Sequence, residues 1–293
     1  GAGGLTIAGA NDLSLTGVLS GTGGLIKSNA GQLNLSGANT YSGGTLLNGG
    51  TVQAGNNQAF GTGGITVAGA STLLAPGTLT LNNALTLNNT LTTNSAGALT
   101  LAGAISGAAG LTKTGSGSLT LSGANGAYSG PTTLSAGTLR VGSNTALGSG
   151  VLSTASGTSL DSTANVSLAN NIALTGNLNV LGSNALTLGG ALSGAGGITK
   201  TGNASLTLSG NNSHSGATAL NAGTLFVGSN TALGTGALNT AAGTTLDSIA
   251  GVSLANAINI AGNLTLGGTQ ALALNGLISG TGDLIKNGTA ALT

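Results

Sequence analysis

Leu and Ile alternate with Thr, Ser or Asn in runs of four to six residues, bounded by Gly, Asn and Ser. Leu13-Ser14-Leu15, Leu79-Thr80-Leu81, Leu99-Thr100-Leu101, Leu186-Thr187-Leu188 and Leu264-Thr265-Leu266 are examples. Alternation at period two gives a segment one buried face and one wet face, so each run predicts a short half-buried strand. Helical spacing is absent, and Gly at this density would cost a helix ~1 kcal/mol per occurrence. The pattern predicts an all-β protein.

Longer self-similarity decides among sandwich, barrel and solenoid. Gly110-Leu111-Thr112-Lys113-Thr114-Gly115 recurs as Gly197-Ile198-Thr199-Lys200-Thr201-Gly202, and Val141 through Gly148 recurs unchanged at Val227 through Gly234. A weaker copy starts at Gly24-Leu25-Ile26-Lys27 and a fourth at Asp283-Leu284-Ile285-Lys286. Long units of about 86 residues therefore begin near 24, 110, 197 and 283, within one segment spanning 1–293. The ends fall partway through units, which predicts a piece of a longer array. Such repeats favour a solenoid whose rungs meet only their neighbours. The unit divides into about four rungs of ~20–26 residues, each with three short strands and Gly or Asn at the corners. Strands stacked this way are parallel, and parallel crossovers are right-handed in about 98% of cases. The expectation is a right-handed parallel β-helix of roughly 13 rungs, each rising ~4.8 Å. A left-handed hexapeptide coil is the rival, on the six-residue beat of Leu79, Leu85 and Leu91, but that beat lasts only one rung's length.

Composition narrows the chemistry. The 293 residues include 57 Gly, 5 Lys+Arg, 4 Asp+Glu, 1 His and no Cys, Met or Trp. A Cys/His zinc site, a thiol nucleophile and an iron–sulfur cluster are excluded. The net charge of +1 lacks the basic footprint of nucleic-acid binding. A mean hydropathy of +0.38 with so little charge is the reverse of the disorder signature. Gly, Asn, Ser or Thr interrupts every apolar run well short of the ~20 residues a membrane-spanning helix needs.

The run Gly110-Leu-Thr-Lys-Thr-Gly-Ser-Gly-Ser-Leu-Thr-Leu-Ser-Gly, followed by Ala124-Asn125-Gly126-Ala127-Tyr128-Ser129-Gly130 and Ala136-Gly137-Thr138-Leu139, resembles the autotransporter-associated β-strand repeat. This is also called the passenger-associated transport repeat of bacterial type V secreted proteins. The same order stands at Gly24 through Val52 and at Gly197 through Leu225, where His214 replaces the tyrosine. The resemblance implies a passenger domain displayed outside the outer membrane as a right-handed β-helix. It also implies work as an adhesin, a self-association factor or a stalk. The signal peptide and translocator barrel that accompany such passengers are not in this sequence.

Candidate chemistry is sparse. Asp161 and Asp247 occupy equivalent places where the first unit has Ala75, and Asp12 and Asp283 complete the acids. Equivalents about four rungs apart lie ~19 Å from one another, beyond the ≈ 5–9.5 Å that paired glycosidase carboxyls require. They read as isolated corner or surface acids. Lys27, Lys113, Lys200 and Lys286 would form a ladder along the axis, serving as solubilising guards at rung edges or as a sparse comb for anionic polysaccharide. His214, aligned with Tyr41 and Tyr128, reads as a planar ring packed over a turn. Arg140, Phe226 and Gln53 share an outward position. Gly194-Ala195-Gly196-Gly197 lacks the strand–loop–helix context of a phosphate cradle, and Gly280-Thr281-Gly282-Asp283 is a lone partial match to a calcium-binding repeat. Triplets such as Asn263-Leu264-Thr265 follow from Asn and Thr abundance.

The expectation is thus a non-enzymatic structural or adhesive segment at the bacterial surface, with no catalytic, cofactor-binding or metal residues and no cofactor. Expected partners are further copies of itself, through polar faces or open ends, with surface glycans as a second candidate. Nucleic acid is not expected, and the membrane only through a translocator. The alternatives are a polysaccharide-binding or polysaccharide-processing β-helix and a self-assembling fibre subunit.

Overall fold

The computed structural model describes residues 3–28 and 30–293. Two compact units, Gly1–Gly150 and Val151–Thr293, are built on one principle. No helix occurs among the described residues, and short strands wind into coils in which each strand pairs in parallel with its counterpart one rung away. The fold is an all-β parallel solenoid with three strand positions per rung.

In the first unit, one face runs from Leu5–Ile7 through Leu25–Lys27, Thr45–Leu47, Ile65–Val67 and Leu85–Leu87 to Ile105–Gly107. A second runs from Leu13–Leu15 to Leu111–Thr114 and Thr132–Leu134. A third joins Leu79–Leu81, Ala98–Leu101, Ser118–Leu121 and Thr138–Val141. In the second unit, one face stacks Thr158–Ser162, Leu178–Val180, Ile198–Lys200 and Thr218–Leu220 onward to Ile278–Gly280. Another runs from Val166–Leu168 through Leu206–Leu208, Thr224–Val227 and Thr244–Ser248 to Leu284–Lys286.

The usual register step is 20 residues, as in Leu5↔Leu25, with 19 at Leu33↔Val52 and 21 at Lys113↔Leu134. Alternation does what the sequence predicts. Most three-residue strands show a buried–half-buried–buried pattern, and Leu79, Leu99, Leu119 and Leu139 stack into one interior column. Each such Leu withdraws its side chain from water against the next, worth about 1.5–3 kcal/mol apiece. The six-residue beat at 79–91 resolves into a single rung: Leu79–Leu81, Leu85–Leu87 and Leu91–Ser95 are three successive strands on three faces.

The long sequence unit is four rungs plus one strand. Lys27 stacks below Leu47, Val67, Leu87 and Gly107 on one face, and its equivalent Lys113 lies on the next face, six residues beyond Gly107. The second unit repeats the step. Lys200 is followed on its face by Leu220, Thr240, Ile260 and Gly280, and Lys286 lies on another face, six residues further. Successive motifs in a unit are therefore displaced by one face, so Lys27 and Lys113, or Lys200 and Lys286, do not line up as a ladder.

Candidate functional site

The first residues to relocate are the lysines, which the sequence placed at rung edges. Lys27, Lys113 and Lys200 are fully or almost fully buried. Each sits two positions after an inward Leu or Ile, so strand parity turns it into the solenoid. The ammonium is satisfied there by backbone carbonyls of two successive rungs. Lys27 Nζ donates to Gly31 O at 2.8 Å and Gly49 O at 3.2 Å. Lys113 Nζ donates to Thr114 O, Gly115 O and Ala136 O at 2.6, 2.8 and 3.4 Å, and Lys200 Nζ to Gly202 O and to Ala222 O at 3.1 Å. Burial disfavours the charged form and lowers all three pKa values. Lys113 falls to about 8, Lys200 falls as well, and for Lys27 the nearby Asp12 carboxylate opposes the fall. Lys286 alone of the four is exposed, with Nζ on Gly288 O at 2.8 Å. An outward lysine comb is thereby ruled out.

Two of the acids are also inside. Asp161 and Asp247 are buried, contrary to the expectation of surface acids, because the segment one rung on folds over each. Asp161 accepts from Ser183 N at 3.1 Å and Ser183 Oγ at 2.8 Å. Asp247 accepts from Ser248 N at 2.8 Å, Thr269 N at 3.0 Å and the Thr269 hydroxyl. They stand on strands of different sheets, Thr158–Ser162 and Thr244–Ser248, and are spent on hydrogen bonds. Of nine charged side chains, five are interior; Asp12, Asp283 and Lys286 are exposed and Arg140 is half-buried.

A second inward polar group carries more of the architecture and was missed in the sequence. Asn39, Asn125 and Asn212 are buried, each clamping three rungs. Their Oδ1 atoms accept from Leu19 N, Ile105 N and Leu192 N at 2.7–2.8 Å. Their Nδ2 groups donate to Ala59 O, Ala146 O and Ala232 O at 2.6–2.7 Å. The amide thus does a strand's pairing work at a corner where no strand runs. The recurrence of Asn after Ser-Gly-Ala or Ser-Gly-Asn was the available signal, but Asn is so frequent at turns that it read as turn chemistry.

Beside each clamp sits the planar ring, packed over a turn as expected. Tyr41, Tyr128 and His214 are buried against the tight corners that end at Gly61, Gly148 and Gly234. These corners are closed by bonds such as Gly148 N to Thr145 O at 2.9 Å and Gly234 N to Thr231 O at 2.8 Å. All three glycines have positive φ, +63°, +56° and +61°, and a Cβ on any of them would strike the carbonyl of the stacked Tyr or His. Tyr41 OH pairs with Thr45 Oγ1 at 2.6 Å. Tyr128 OH accepts from Leu111 N at 3.1 Å and donates to Pro131 O at 2.8 Å. Burial raises both phenol pKa values, Tyr41 to about 12.

Outward positions carry the contrast. Arg140, Phe226 and Gln53 occupy half-buried, outward strand positions, as the shared sequence place predicted. A shallow groove on the first unit is lined by Gly24, Ile26, Gly44, Leu46, Gly64 and Thr66 among others, and those side chains carry no group that titrates near neutrality. Gly194 takes a positive φ of +103° close beneath Leu174 O, at a corner.

The Lys, Asn and Tyr/His positions all lie within stretches that one family model matches. The passenger-associated-transport-repeat family model matches residues 25–54, 111–141 and 198–227, and each matched stretch opens on the strand that carries the buried lysine. No characterised protein and no solved structure matches the chain. The matched repeats and the parallel solenoid are the features that support a passenger-type β-helix.

Proposed function

We propose that this chain, carrying three passenger-associated-transport repeats, is a surface-displayed structural segment that works by lateral contact, as a self-associating or adhesive stalk. The repeats imply secretion to the cell surface. The observation that carries the reading is the distribution of charge. With Lys27, Lys113, Lys200, Asp161 and Asp247 inside, the exterior is rich in Thr, Ser and Asn, with scattered apolar residues such as Val18, Leu46 and Ile249, and has little charge to repel a copy of itself. Contacts between such faces are weak singly, about 0.5–1.5 kcal/mol net per hydrogen bond, and accumulate through the rung repeat.

The experiment displays the chain on a non-aggregating bacterium and measures cell settling. The comparison variant places lysines at the half-buried outward positions Leu46, Thr66 and Thr86. Settling by the parent and dispersal by the triple lysine variant support the reading. A parent that neither settles nor adheres overturns it.

Glycan binding is the second reading, favoured by one feature. On the second face of the first unit, Gln32 Nε2 donates to Asn34 Oδ1 at 2.5 Å and Gln53 Oε1 at 3.3 Å, and Asn34 Nδ2 donates to Ser14 Oγ at 3.0 Å. Such a row of amides and hydroxyls suits sugar hydroxyls, and a glycan array with and without Asn34→Ala and Gln53→Ala tests it.

A further inference from the structure

The three matched motifs share a buried lysine, an asparagine clamp and a planar ring, and they differ in what that ring can bond. Tyr41 and Tyr128 both end in a hydroxyl with partners, Thr45 Oγ1 for the first and Leu111 N and Pro131 O for the second. At the equivalent place His214 is fully buried, and neither Nδ1 nor Nε2 has a hydrogen-bond partner. Thr218 Oγ1, the counterpart of Thr45 Oγ1, is buried without a partner as well. The shorter imidazole gives up the bond the phenol makes. Its other side is closed by the Gly234 corner, where a Cβ would lie 2.8 Å from Nδ1.

We propose that His214 makes the third motif an acid-operated opening point: protonation of the ring releases the corner around it while the two tyrosine motifs stay closed.

A neutral imidazole tolerates this site at the cost of unmade bonds. An imidazolium would add a second N–H donor without an acceptor and a charge without a counter-ion. The elements packed around the ring offer no relief. Strand Leu192–Ser193, the Gly194–Gly197 corner, strand Thr218–Leu220 and the 229–236 corner contain no titratable residue. Strand Ile198–Lys200 supplies only Lys200, a second cation whose ammonium is held by Gly202 and Ala222 carbonyls. Asp161 and Asp247 are engaged with Ser183 and with Ser248 and Thr269. Burial accordingly lowers the His214 pKa from 6.5. Opening the corner lets water solvate the ring, so the open form takes up the proton first. Asn212, whose amide bridges Leu192 N and Ala232 O, is the clamp that opening would break. One proton taken up on opening makes the opening constant rise ~10-fold per pH unit below 6.5, until the closed form protonates too.

Hydrogen exchange followed by mass spectrometry, corrected for the intrinsic pH dependence, tests this on the whole chain between pH 7.5 and 5. The expected result is loss of protection in 210–236 on acidification, with 37–63 and 124–150 unchanged, and no acid response in His214→Tyr. His214→Phe, which also lacks the proton site, should match the tyrosine variant and serves if that variant folds poorly. An acid response that persists in either variant, or no selective loss at 210–236 in the parent, overturns the proposal.

Discussion

The side-chain Oδ1 of Asn125 accepts the backbone N–H of Ile105, twenty residues earlier, at 2.7 Å. From the same amide, Nδ2 reaches Ala146 O one rung later, so a single side chain spans three rungs. Truncation in Asn125→Ala orphans two buried backbone groups, each costing roughly 1–3 kcal/mol. The expected outcome is a clear fall in the guanidinium midpoint of the first unit's transition. Ser122→Ala, at an exposed position three residues before Asn125, should change stability by no more than about 0.5 kcal/mol.

Two glycines of the second unit separate strain from collision. Gly234 and Gly243 have similar positive φ values, +61° and +75°. A Cβ at Gly243 meets nothing within 4 Å, whereas at Gly234 it strikes His214 O and lies 2.8 Å from the ring. Gly243→Ala should therefore cost only the left-handed penalty of about 1–2 kcal/mol. Gly234→Ala should cost distinctly more and expose the His214 corner. Chemical denaturation of both variants measures the difference, and equal losses would refute the packing of the ring on this corner.

Alkaline stability should pass through a maximum. Lys113 has a pKa of about 8 in the folded chain against an ordinary 10.5, so between these values the unfolded chain binds more protons and stability rises with pH. Lys27 and Lys200 shift in the same direction. Tyr41 has the opposite sign, raised from 10.0 to about 12. Its stabilisation is intact below pH 10 and is lost as pH climbs toward 12. Denaturation midpoints at pH 7.5, 9, 10 and 11 should rise to a peak near 10 and then fall. The rise should shrink in Lys113→Met, and the fall in Tyr41→Phe.

Much of this fold was legible because the alternation is so regular. Leu99-Thr100-Leu101 and Leu186-Thr187-Leu188 turn Leu inward in the structure, and repeated Val-Gly-Ser-Asn-Thr-Ala-Leu-Gly marks matching corners. The lysines misled because their type suggests solvent while their parity does not. Lys113 is two residues from the buried Leu111, with half-buried Thr112 between them, and parity prevailed because corner carbonyls were in reach of the ammonium. Asp161 shows what parity cannot give. It follows the inward Leu160 and should point outward, but Ser183 of the following rung covers it. The displacement of Lys113 to a new face was equally hidden, since the 86-residue period becomes four rungs and a strand only once the 20-residue register step is known.

The claim that cations lie inside and leave an almost uncharged exterior is most directly tested by amine acetylation of the native chain, read residue by residue by mass spectrometry. Lys286 should react freely. Lys27, Lys113 and Lys200 should react more slowly by roughly two orders of magnitude, since exposing them requires local opening costing a few kcal/mol, and all four should react alike in denaturant. Equal reaction of the four lysines in the native chain would contradict the account.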